Sequence, residues 1–234
     1  MLAIDPRSCG IVLALFQACS PAPRTSQAES ESTREASTWI YEVHAAPGAR
    51  ELIVEASLPA GASVELTLEA SCRDCVRDVN VSDAETWTAV EAGDRTWTLP
   101  ACAGGRRVRY RFLLARSAEE SADVSVARAV GGAIEAPPST WLLRPVQATP
   151  GTRFRFHVTS APGEAFVTGV FPVADASDTY EIDSSVTGRL PYSAFGDLRV
   201  RELEGGKIVA AILPGKIASE DDVLEWIGTS ARAV

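Results

Sequence analysis

Ile134-Glu135-Ala136-Pro137-Pro138-Ser139-Thr140-Trp141-Leu142-Leu143-Arg144-Pro145 divides the chain, because strand-like alternation runs up to it and starts afresh beyond it. Pro137 and Pro138 remove two backbone donors and hold Ala136 extended, so neither a helix nor a central strand can run through them. The segment must turn a corner. Trp141, Leu142 and Leu143 follow at once, and three large apolar side chains on a corner need a core beneath them.

Upstream of the corner the apolar residues recur at every second position, the period of a strand with one dry face. Trp39, Tyr41, Val43 and Ala45 make one such run and Leu52, Val54, Ala56 and Leu58 a second, with Pro47-Gly48 turning between them, so a hairpin is expected. Val64, Leu66, Leu68 and Ala70 give the cleanest alternation, and short pieces around Trp87 and Trp97 flank Ala92-Gly93-Asp94 as another hairpin. Val108, Tyr110, Phe112 and Leu114 alternate with Arg107, Arg109 and Arg111; Val124, Val126 and Val130 make a further strand, ended by Gly131-Gly132. Downstream, Phe154, Phe156 and Val158 alternate with Arg153, Arg155 and His157. Phe166 to Val173, interrupted by Gly169 and Pro172, reads as a bulged or edge strand. Two runs around Glu204-Gly205-Gly206 read as a hairpin. The period then changes: Ser219 can cap, Glu220, Asp221 and Asp222 favour a helix start, and Leu224, Ile227, Ala231 and Val234 repeat at three and four.

The expected fold is therefore mainly β: an antiparallel β-sandwich over residues 38–218, as one sandwich or as two packed β subdomains meeting near the 134–145 junction, with one C-terminal helix over 219–234. At 234 residues and 46% hydrophobic the chain can bury a sizeable core. A net charge of -9 argues against nucleic acid or an anionic membrane face as the main partner. No apolar run is long enough to span a bilayer.

Residues 1–19 read as an export signal of the lipoprotein type, with Arg7 ahead of the apolar run Ile11 to Phe16 and small Ala18 before Cys19, the expected lipidation site. A plain secretory signal or a misplaced start codon are the alternatives. Residues 20–37 form a Pro-, Ser-, Thr- and Glu-rich tether too polar to fold. The expected location is the bacterial cell envelope, on the inner or outer membrane through a lipid anchor, or the periplasm or exterior without one.

No constellation announces a reaction. Arg107, Arg109 and Arg111 set three guanidinium groups in a row, which suits carboxylate anions; equally, Glu51, Glu55, Glu65 and Glu69 on neighbouring wet faces would pair with them as ordinary sheet stabilisation. Of five cysteines, Cys72, Cys75 and Cys102 lie in the body, and a disulfide from Cys102 to Cys72 or Cys75 suits an exported chain, with unpaired thiols and a redox or metal pair as alternatives. The two histidines, His44 and His157, sit on strand faces without ligand spacing. Gly-x-Ser-x-Gly, a glycine-rich phosphate loop and His-Glu-x-x-His do not occur, so no cofactor, metal ligand or catalytic residue is expected.

Ala136 to Pro145, Tyr192-Ser193-Ala194-Phe195-Gly196 and Leu224-Glu225-Trp226-Ile227 together resemble the N-terminal, non-catalytic β region of bacterial glycyl-aminopeptidase-like metallopeptidases, a gluzincin family. The resemblance runs from Thr38 to Val234. It implies a β region that precedes a thermolysin-like zinc domain carrying His-Glu-x-x-His and a further Glu, and it carries over no catalytic residue. The expected function is a non-catalytic β module, not itself an enzyme, whose Leu224, Ile227, Ala231 and Val234 stripe meets a zinc peptidase domain or an envelope protein. The alternative is a free-standing surface lipoprotein that binds a peptide, glycan or envelope protein.

Overall fold

In the computed structural model, residues 37–69, 72–82 and 86–233 are described, and Cys19 with the whole export signal lies outside them. The chain runs β1 (Thr38–Ala45), β2 (Leu52–Leu58), β3 (Val64–Thr67), β4 (Val76–Ser82), β5 (Trp87–Ala89), β6 (Trp97–Leu99) and β7 (Arg106–Phe112). Helix α1 (Leu114–Glu120), β8 (Arg128–Val130), β9 (Ala133–Glu135), the one-turn helix α2 (Pro138–Trp141) and β10 (Arg144–Pro145) carry it through the corner. It closes with β11 (Arg153–Thr159), β12 (Ala165–Thr168), β13 (Thr179–Asp183), β14 (Ser193–Gly196), β15 (Arg199–Leu203), β16 (Ile208–Ile212) and α3 (Glu220–Arg232).

The two-residue period does what it promises. Along β1, β2, β7 and β11 buried and solvent-facing residues alternate, and the dry face presents Trp39, Tyr41, Val43, Leu52, Val54, Val108, Tyr110, Phe154 and Phe156. These strands belong to a seven-stranded sheet ordered β13-β11-β1-β2-β7-β4-β5. A three-stranded sheet, β10-β3-β6, and a four-stranded one, β12-β14-β9-β8, share one hydrophobic core with it. The expected hairpin of β1 and β2 forms, Val43 opposite Val54. Pairing is mostly antiparallel, but β1 also lies parallel to β11, Tyr41 opposite Phe156. Strands from both sides of the corner therefore share one sheet.

The corner sits at the centre of the core. Proline is tolerated at the first position of a helix, where its missing N–H would have no partner, so Pro138 opens α2 instead of forbidding it. That single turn swings Trp141 inward with no exposed surface, edge-on to Phe156 at 5.6 Å and to Phe195 at 5.6 Å. Its polar backbone is answered by two tyrosines: Tyr110 Oη donates to Trp141 O (2.8 Å) and accepts from Leu143 N (3.0 Å), and Tyr41 Oη donates to Leu143 O (2.8 Å).

Several local expectations are corrected. Three helices form among the described residues, not one. Leu114 continues the strand alternation but starts α1, because Leu-Ala-Arg-Ser-Ala-Glu-Glu is rich in helix formers and Arg116 reaches Glu120 one turn on. Val124 and Val126 lie in a turn, and only Arg128–Val130 becomes a strand. The Trp87 and Trp97 pieces are not a paired hairpin: β5 joins β4 and β6 joins β3, so Trp97 enters the core while Trp87 stays half-exposed. The Val64 strand stops at Thr67. Ser219 precedes α3 without a side-chain capping bond, and Val234 lies outside the described residues.

Candidate functional site

The arginine stripe stands on the solvent face of β7, and most of its charge is spent within the sheet. Arg107 meets Glu55 at 3.2 Å, and Arg111 meets Glu51 at 2.6 Å and Asp78 at 3.0 Å. Hydrogen bonds that Arg111 donates to Glu51 and then to Asp78 hold its guanidinium above its ordinary pKa. Arg109 lies over the Trp87 ring at 4.3 Å, a cation–π contact of about 0.5–1 kcal/mol at an exposed site. Glu51 and Glu55 are thus the expected counter-charges. Glu65 and Glu69 are not, since β3 belongs to the smaller sheet and Glu69 faces Arg144 at 3.4 Å.

His44 and His157 stand on the outer face of neighbouring strands β1 and β11. His157 Nδ1 is 2.8 Å from Glu42 Oε2, a cross-strand pair. Among the described residues no group of three or more His, Cys, Asp or Glu could hold a metal ion.

The cysteine pairing differs from expectation. Cys72 bonds to Cys75, across a Cα–Cα distance of 5.4 Å, and Cys102 is a free thiol. The reason is the length of β7. Leu113 N donates to Cys75 O at one end of that strand, while Cys102 precedes Arg106 at the other, and seven residues of strand keep the two apart by about 20 Å.

Arg106 is the residue that the stripe concealed. Alternation puts it on the dry face, opposite Leu58, and only 5% of it is exposed. Its guanidinium donates to the carbonyls of Pro100, Ala62 (2.8 Å) and Gly61 (3.3 Å), so it latches two loops together, and its Nε has no partner among the described residues. Burial pushes its pKa down, and Cys102 opposes that. Arg106 and Cys102 line one cavity of about 470 Å³ with Val81, Thr88, Glu91 and Thr98. The signal was present in the register: two positions before Val108 is a core position.

At the far end of the chain, β15 and β16 form a two-stranded sheet of their own, and Arg199 pairs with Glu220 (2.6 Å) and Arg232 with Glu204 to tie α3 to it. Leu224 and Ile227 of the expected stripe are half-buried, and with Ala210, Ile212 and Pro214 they line a cavity of about 420 Å³. Ala231 is exposed, and Trp226 is 69% exposed on the other side of the helix pattern.

An aminopeptidase N family protein from Idiomarina loihiensis matches 82% of this chain with a TM-score of 0.61 at 13% identity. The likeness is one of fold. It falls on the N-terminal part of that protein, and the chain spans about a third of its length, 36%. An M1 zinc metallopeptidase from Deinococcus radiodurans also matches 82% of the chain and 51% of its own, with a TM-score of 0.44 at 12% identity. No protein-family model matches the sequence. Nor does any curated protein.

Proposed function

We propose that this chain is the non-catalytic β module of an exported, lipid-anchored metallopeptidase-like protein, serving as the platform on which a zinc peptidase domain sits. The observation that carries this reading is the fold likeness to about a third of an aminopeptidase N family protein, 36% of its length. The Leu224 and Ile227 side of α3 and the exposed Val223 and Ile217 beside it offer apolar area for such a domain to cover. A disulfide between Cys72 and Cys75 fits an oxidising compartment, and Cys19 follows an apolar run as a lipidation site does.

The decisive test is the nucleotide sequence after codon 234. An adjoining frame encoding His-Glu-x-x-His supports the module; unrelated sequence there overturns it in favour of a free-standing surface protein. In a second assay the purified chain, supplied with zinc, leaves aminoacyl substrates intact. Zinc-dependent turnover that is lost in His44→Ala or His157→Ala would overturn the non-enzymatic reading. For the anchor, mass spectrometry of protein made in a lipoprotein-competent host should find Cys19 acylated, and an unmodified mature protein counts against it.

A further inference from the structure

The cavity beside β7 combines a free thiol with a buried cation, and neither group is used by the reading above. Cys102 is half-buried, and its Sγ donates to Gly105 O at 2.9 Å. Its two possible disulfide partners in the described body are already bonded to each other. Among the described residues the hydrogen bonds of Arg106 go to carbonyl oxygens and its buried Nε has no partner, and burying a cation without a counter-charge is costly. Among the described residues lining the cavity, Arg106 is the one cation and Glu91 the one carboxylate. At about 470 Å³ the space is within the range of small-molecule sites. Opposite charges flanking a thiol complement a zwitterion that carries sulfur.

We propose that Cys102 is a thiol–disulfide exchange site for a small α-amino-acid disulfide such as cystine, oriented by Arg106 and Glu91. The ligand carboxylate lies against the Arg106 guanidinium and supplies its missing counter-charge. The ligand ammonium turns toward Glu91. Cys102 Sγ, as the thiolate, attacks one sulfur of the ligand. A new S–S bond forms between Cys102 and one half of the ligand, the ligand's own S–S bond breaks, and the leaving thiolate takes up the proton given up by Cys102. No outside oxidant is needed, because the ligand disulfide is reduced by the same two electrons that oxidise the thiol.

The experiment uses the full chain. It is incubated with cystine and, separately, with 2-hydroxyethyl disulfide, which has the same reactive bond and no charge; each rate is divided by that of the urea-unfolded chain. Intact-mass measurement and peptide mapping of the chain carrying Cys9→Ser and Cys19→Ser, which leaves Cys102 as the thiol that is read, should show one cysteinyl adduct on Cys102, absent in Cys102→Ser. The normalised rate with cystine should exceed that with the uncharged disulfide about tenfold, the scale of one hydrogen bond to a charged group. Arg106→Lys should reduce that preference. Since Arg106 also latches two loops, exposed Glu91→Gln is the variant that tests the site without threatening the fold, and it too should lower the preference. Modification of Cys102 only after unfolding, equal normalised rates for the two disulfides, or a preference that Glu91→Gln leaves unchanged would each overturn the assignment.

Discussion

Two hydroxyl groups decide how well the central corner is held. Tyr110 Oη both donates to Trp141 O and accepts from Leu143 N, so Tyr110→Phe leaves two buried backbone groups without that partner. The expected loss is about 1–3 kcal/mol, read from urea midpoints. Burial raises the pKa of Tyr110 and of Tyr41, so the folded protein keeps phenol protons that the unfolded chain gives up near pH 10. Their contribution is therefore fully present below about pH 10 and is lost as pH climbs above it. Tyr110→Phe removes one of these titrations, and the alkaline decline should become shallower by about 1.4 kcal/mol per pH unit. Trp141→Ala should cost about 3–5 kcal/mol in the same assay, as expected for a fully buried indole. A change within about 0.5 kcal/mol would mean a surface residue. The burial of Trp141 was legible because three large apolar residues beside a proline pair have nowhere else to go. The tyrosine hydroxyls were not legible: their partners lie 31 and 102 residues along the chain, and nothing local encodes that approach.

At the scale of elements, alternation announced most of the long strands and composition would have announced α1, yet partners were harder to read than periods. A strand's period reports which face is dry, whereas its neighbour is chosen by the whole core; hence β5 and β6 were identified as short extended pieces and their separate sheets were missed. The cysteines illustrate the same gap. A bond from Cys72 to Cys75 closes a loop of three residues, for which chain entropy gives about 1.6 kcal/mol, against about 3.6 kcal/mol for a bond from Cys72 to Cys102. Cys72→Ser with Cys75→Ser should therefore lower stability by no more than about 2 kcal/mol in thermal unfolding. Glycine at 196 is a sharper constraint. Its φ is +105°, and an added Cβ would stand 2.4 Å from Gly132 O in the turn between β8 and β9. Gly196→Ala should cost at least the 1–3 kcal/mol or so of such backbone strain, and circular dichroism melts would show it.

On the scale of the whole molecule, the resemblance drawn from the corner, from Tyr192 to Gly196 and from the last helix agreed with the fold likeness, and the first two of those segments meet in the core, where Trp141 lies against Phe195. The candidate chemistry was less legible: the arginine stripe drew attention outward, while the cation that faces a cavity was the one hidden in register. The parallel ladder of β1 and β11 has a further consequence, for synthesis. Partners along it are 115 residues apart, so the first strand leaves the ribosome long before its neighbour exists. Long-range pairing of this kind slows folding. Until β11 arrives, β1 has an open edge and an uncovered row of apolar side chains, the hallmark of a chain that sticks to others. A polypeptide stopped at Gly151 should accordingly be recovered in aggregates, and only chains that continue through Thr159 should become soluble in a synthesis-arrest series. A holding chaperone added to that series should keep the chain stopped at Gly151 out of the aggregates, by covering the edge and the apolar row that β11 would otherwise cover.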